Sequence, residues 1–137
     1  MGPRESLNAY LKSVRRKPFT WGSHDCLTFT NDAFRAMYGN GWADDWLGRY
    51  MDGDRILRRR ELKSEFGHSD FLKAVDERLD RVDGVPPMGA LVTTDKSRRW
   101  VTGVAMGICT GTKAAFLDKD GVVYLSIDDI NGAWVKR

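Results

Sequence analysis

The chain has 137 residues, enough for a single domain, 1–137, with a modest core. Its 22 basic and 19 acidic residues leave a net charge of +3, a mixed-sign surface that does not require a nucleic-acid partner. No apolar run is long enough to span a bilayer and the polar opening Met1–Ser6 lacks a signal-peptide core. Two histidines and no CxxC supply a zinc site poorly, so no metal and no cofactor are expected.

Leu7, Tyr10, Leu11 and Val14 recur at helical spacing, which predicts a helix over Ser6–Arg16 with Ser6 as its cap and Pro18 as its stop. Lys17-Pro18-Phe19 then leads into Phe19-Thr20-Trp21-Gly22-Ser23-His24-Asp25-Cys26. A second helix is predicted from about Asp25 to Tyr38. Cys26, Phe29, Thr30, Ala33 and Met37 share one face, and Leu27 and Phe34 widen it into the stripe of a buried central helix. Gly39 supplies its C-terminal stop.

From Trp42 to Val85 the pattern is helical but broken. Asp44 or Asp45 caps a short helix through Tyr50. Gly53 breaks the chain, and Asp54 caps a helix carrying Ile56 and Leu57. Ser69 or Asp70 caps a further helix with Phe71, Leu72, Val75 and Leu79 on its apolar face. After Pro86-Pro87 the pattern becomes strands: Ala90–Thr93, Trp100–Cys109, Lys113–Leu117, Val122–Leu125 and Ala133–Lys136. Asp118-Lys119-Asp120-Gly121 is a hairpin turn rather than a calcium loop, because the later ligands of such a loop are missing. Asp128–Gly132 is a loop or a single helical turn. Helices followed by an antiparallel meander make an α+β domain.

The residues that could carry chemistry sit at the start of the central helix. A helix N-terminus favours a thiolate, so Cys26 is a candidate nucleophile. Read plainly, Cys26 and Cys109 are two buried free thiols, with a disulfide as the alternative. His24 is the nearest candidate base; as a lone histidine it reads first as a cap or a partner of a loop carbonyl. His68 reads as a solvent-exposed loop residue. Asp25 next to Cys26 would raise the thiol pKa and oppose activation. Trp42, Trp46 and Tyr50 form an aromatic cluster, by default core, that becomes a partner anchor if exposed. Arg58 and Arg59, and Arg98-Arg99-Trp100, are basic runs. Acidic neighbours of the first run favour a solvated or protein-docking face over nucleic acid.

A cysteine opening a core helix, with a short antiparallel sheet after it, resembles the papain-like fold in its compact bacterial form, the NlpC-like cell-wall peptidase superfamily. More narrowly, a series of motifs resembles a small phage-encoded family of that superfamily. These are Phe19-x-Trp21-Gly22-x-His24-Asp25-Cys26, Asp32-Ala33, Gly48-Arg49-Tyr50, Leu57-Arg58-Arg59, Gly107–Gly111 and Ala133-Trp134, spanning roughly Leu7 to Val135. Members of that family are phage proteins of unknown function, commonly encoded among tail genes.

The resemblance implies Cys26 as the superfamily nucleophile. It aligns the superfamily's Gly-Asp with Gly89-Ala90. The strand that opens with the catalytic histidine aligns with Ala105-Met106-Gly107-Ile108, so Ala105 stands where that histidine would be. A thiol hydrolase needs a base within reach, and the implied site is therefore degenerate. The first expectation is a structural or assembly protein of the phage tail, near the tip and located in the virion. It would bind other tail proteins through Trp42, Trp46, Arg58, Arg59 and Trp100. The alternative is a cysteine hydrolase acting on peptidoglycan with Cys26 as nucleophile and His24 as base. A third is a small host-directed binding protein.

Overall fold

The computed structural model describes residues 2–68, 70–96 and 104–137. Helix α1 spans Pro3–Ser13, starting ahead of Ser6 and ending before Arg16. Proline at the first helical position fixes φ where no backbone donor is needed, so Pro3 rather than Ser6 sets the start. Helix α2 spans Cys26–Tyr38, close to expectation, with Asp25 as N-cap and Gly39 at φ 87° as C-cap.

The middle of the chain departs further from the predicted helices. A 3₁₀ turn covers Asp44–Trp46. Where a helix was expected around Asp54, the chain forms a tight hairpin of β1 (Met51–Asp52) and β2 (Arg55–Ile56), with Gly53 at φ 60° in its turn. Helix α3 follows at Arg59–Phe66 and α4 at Phe71–Asp76. Asp70 caps α4, its Oδ1 accepting the Leu72 N–H at 3.0 Å. Leu79, expected on that helix, instead begins β3 (Leu79–Arg81).

The remaining strands are β4 (Leu91–Thr94), β5 (Ala105–Cys109), β6 (Lys113–Asp118), β7 (Gly121–Ser126) and β8 (Gly132–Lys136). They form one antiparallel sheet in the order β3-β8-β4-β5-β6-β7. The last strand inserts between β3 and β4, setting Trp134 opposite both Arg81 and Leu91. The expected turn at Asp118–Gly121 joins β6 to β7, and a 3₁₀ turn, Ile127–Asp129, precedes β8.

Both faces of the sheet are covered with apolar side chains. Leu91, Met106, Ile108, Ala115, Leu117 and Trp134 join the main core with Cys26, Leu27 and Phe29 of α2 and Leu7 and Leu11 of α1. Ala90, Val92, Ala105, Cys109, Ala114 and Phe116 form a second cluster on the opposite face. Among the described residues, no helix is long and apolar enough to cross a membrane.

Candidate active site around Cys26

The approach to α2 is a tight loop. Thr20 and His24 exchange backbone hydrogen bonds at 2.9 and 2.8 Å, and Gly22 sits between them at φ 86°, in the left-handed region that glycine enters freely. Phe19 and Trp21 pack edge to face at 4.9 Å. The loop closes onto Asp25. Its Oδ1 accepts the Thr28 N–H at 3.0 Å, and its Oδ2 accepts the Gly22 N–H at 2.8 Å and the Tyr50 hydroxyl at 2.5 Å. Thr28 answers with its hydroxyl oxygen, which accepts the Asp25 N–H at 2.7 Å. This is a capping box, and it satisfies a fully buried carboxylate from both ends.

Cys26 follows at the first position of α2 with 5 % exposure. The expected benefit of the helix N-terminus does not prevail. Burial, and then the Asp25 carboxylate, push the thiol up to about 12, against smaller opposing contributions from backbone groups of Met106, Cys26 and Leu27. At neutral pH that leaves a thiolate fraction on the order of one in 10⁵.

His24 does not cap the helix, a role that Asp25 fills. Its ring lies edge-on to Phe29 at 6.3 Å, and its buried Nε2 has no hydrogen-bond partner among the described residues. Burial lowers its pKa, Lys17 adds to that, and Asp25 opposes it. No hydrogen bond joins the imidazole to Cys26 among the described residues. Nor does Ala105, where the resemblance would put a histidine, lie on the Cys26 side of the sheet. Ala105 packs in the second cluster, on the far face of the sheet, whereas Met106 shares the core with Cys26.

The other candidates are dispersed. Trp42 and Trp46 are buried. Trp42 Nε1 donates to Thr30 Oγ1 at 3.1 Å, and Trp46 packs against Phe66 and Phe71 with the Arg78 guanidinium 3.8 Å above its ring. They are core and not surface anchors, which corrects the expectation of a docking patch built on them. Arg58 and Arg59 are exposed at the start of α3, where the Arg58 N–H donates to Glu61 Oε1 at 3.2 Å. Trp100, with Arg98 and Arg99, lies outside the described residues. His68 pairs with Glu77, so it is not a bare loop histidine. Cys26 and Cys109 are both free and buried. Among the described residues no group of three or more acidic, histidine or cysteine side chains is placed to hold a metal ion.

Two residues escaped sequence reasoning. Tyr50, expected only in an aromatic cluster, is the partner of Asp25, and its sole signal was the Gly48-Arg49-Tyr50 motif. Met106 is the β5 side chain on the Cys26 side. The site therefore holds a protonated thiol, a hydrogen-bonded carboxylate and an imidazole whose Nε2 has no partner among the described residues.

No curated protein and no solved structure matches the chain. The family model described as a domain of unknown function (DUF6950) matches residues 3–135, and the chain belongs to that family.

Proposed function

We propose that this domain is a structural or assembly component of a phage tail, near the tip, built on an NlpC-like fold whose hydrolase site no longer works. The observation that carries the inactive half of this reading is Cys26. It holds the nucleophile's place at the first turn of the central helix, yet its thiol is buried, held protonated and without a hydrogen-bonded base among the described residues. The NlpC-like half is supported by that placement and by an antiparallel sheet whose strand β5 lies against the same turn. The tail reading rests on the ordered motifs from Phe19 to Trp134, since a fold alone does not carry a function. In this role the domain resides in the virion and contacts other tail proteins. Mass spectrometry of purified particles of a phage encoding the chain tests it: the protein is expected in stoichiometric amount, and its absence from the particles would overturn the reading.

The alternative is a cysteine hydrolase that cuts peptidoglycan cross-links with Cys26 as nucleophile. What favours it is the Cys26 sulfur at a helix N-terminus, where backbone groups including that of Met106 favour the thiolate. Release of muropeptides from purified sacculi, abolished by Cys26→Ala, would establish it and displace the inactive reading.

A further inference from the structure

A groove of about 470 Å³ runs between α1 and the sheet, within the range of binding pockets. Arg4, Lys12 and Arg15 stand along one side and Leu11 forms the floor. Thr110, at the end of β5, and Tyr124 of β7 form the other wall. The groove shares no lining residue with the Cys26 site, so its use stands whatever the fate of that thiol.

Three cations converge on this one groove. Several cations elsewhere are neutralised locally: Arg35 pairs with Asp44, Arg49 with Glu65, Arg55 with Asp52 and Glu61, Arg78 with Asp45, Lys96 with Asp129 and Arg137 with Asp80. Arg4, Lys12 and Arg15 have no carboxylate partner among the described residues, though all three are exposed and line one cleft. Three like charges facing a common hollow with low-dielectric walls attract an anion and repel one another without it. Beside them Tyr124 is 49 % exposed, with Leu47 and Val85 one of the large hydrophobic side chains open to solvent among the described residues. A half-exposed aromatic next to unpaired cations is the composition of a protein-docking hot spot.

The anion is short. Arg4 and Lys12 are eight residues apart on a helix, roughly 12 Å, which an extended chain covers in about four residues. Beyond Arg15, Asp118 and Asp120 line the adjoining hollow. A nucleic-acid backbone running on past the groove would meet those carboxylates, whereas a brief acidic stretch of polypeptide ends before them. We propose that this groove seats a short acidic segment of a partner protein, its carboxylates paired with Arg4, Lys12 and Arg15 and one side chain packed on Tyr124.

Fluorescein-labelled hexaglutamate, followed by polarisation with the full chain, provides the test. Saturable binding that weakens as salt rises is expected. The triple reversal Arg4→Glu, Lys12→Glu, Arg15→Glu is expected to weaken it about tenfold or more, and Lys63→Glu with Lys73→Glu, exposed cations on α3 and α4, less than about twofold. Tyr124→Ala and the single Lys12→Glu, both at exposed positions, carry the test if the triple variant folds poorly by circular dichroism; each is expected to lose about threefold or more. The proposal is overturned if hexaglutamate does not bind, if the groove variants bind as well as the parent, or if the Lys63/Lys73 pair costs as much. A 5′-phosphorylated hexathymidylate binding about tenfold tighter than the peptide would reassign the groove to nucleic acid and overturn it equally.

Discussion

The hydroxyl of Tyr50 donates to Asp25 Oδ2 across 2.5 Å, and both side chains are fully buried. The bond ties the segment leaving the 3₁₀ turn to the first turn of α2, 25 positions earlier in the chain. A buried carboxylate is tolerated only when its oxygens are met by donors. Here the Gly22 and Thr28 N–H groups and the Tyr50 hydroxyl meet them. Burial, and then the neighbouring carboxylate, raise the tyrosine pKa, so Tyr50 remains a donor at any ordinary pH.

Tyr50 and Asp25 are therefore expected to be energetically coupled. Tyr50→Phe leaves Oδ2 short of one donor and is expected to cost about 1–3 kcal/mol. Asp25→Ala removes the helix cap and strands two buried donors, an expected loss of about 2–4 kcal/mol. Because each variant removes the same bond, the double variant is expected to fall short of the sum by about 1 kcal/mol or more. Urea unfolding of the four proteins measures this, and additivity would mean that the bond contributes nothing of its own.

Cys26 gives the fold a weakness at alkaline pH. Its thiol titrates near 12 in the folded chain and in the ordinary thiol range once unfolded. Above about pH 8.5 the unfolded chain has lost a proton that the folded chain keeps, so stability falls as pH rises, by about 1.4 kcal/mol per unit from this group. Cys26→Ala is expected to make the decline shallower between pH 8.5 and 10, where Cys109, its pKa also raised by burial, keeps part of it, and below the range in which Tyr10 and Tyr50 add to it. In the same pH range, native Cys26 should react with iodoacetamide no faster than buried Cys109. Rapid, selective alkylation of Cys26 near neutrality would contradict a resting protonated thiol.

His24 acts at the other end of the pH scale. Its pKa is lowered by burial and by Lys17, so below about 6.5 the unfolded chain takes up a proton that the folded chain refuses. Stability is then lost as pH falls through that region. His24→Gln is expected to reduce the slope of stability against pH between about 6.5 and 5, whatever it does to the absolute value. In the native protein the His24 ring protons, followed by NMR, should titrate below the ordinary imidazole range. Titration above it would mean that the imidazole has found an anionic partner.

The elements that sequence reasoning located are those whose signals are local. Asp25 and Gly39 bracket α2, and Asp118–Gly121 closes a hairpin, because capping and tight turns are decided within four or five residues. The β1–β2 hairpin and β3 escaped because strands of two and three residues are too short to display alternation. Gly53 was legible as a break but not as the turn between strands. In the candidate site, the sequence placed Cys26 and Asp25 at the helix start. It could not orient the His24 ring or bring Tyr50 to Asp25, since both depend on tertiary packing. Nor could it assign the faces of β5. Every residue from Ala105 to Cys109 is buried, so polarity does not mark which face meets α2.

The assignment of those faces leads to a direct experiment. The resemblance to the NlpC-like superfamily would put a histidine at Ala105, but the pleat turns that side chain into the cluster with Val92 and Phe116, away from Cys26. Met106, one residue on, belongs to the core that contains Cys26. In a Cys109→Ala background, Ala105→His is expected to cost stability and leave the alkylation rate of Cys26 unchanged, because the imidazole enters the wrong side of the sheet. Met106→His is expected to place an imidazole on the thiol's side, and each unit by which it lowers the thiol pKa raises the thiolate fraction about tenfold. Both rates are read against the unfolded chain, and urea unfolding confirms that each variant is folded during the measurement. An increase in Met106→His alone supports the observed register; an increase in Ala105→His alone would mean that β5 presents its other face to the central helix.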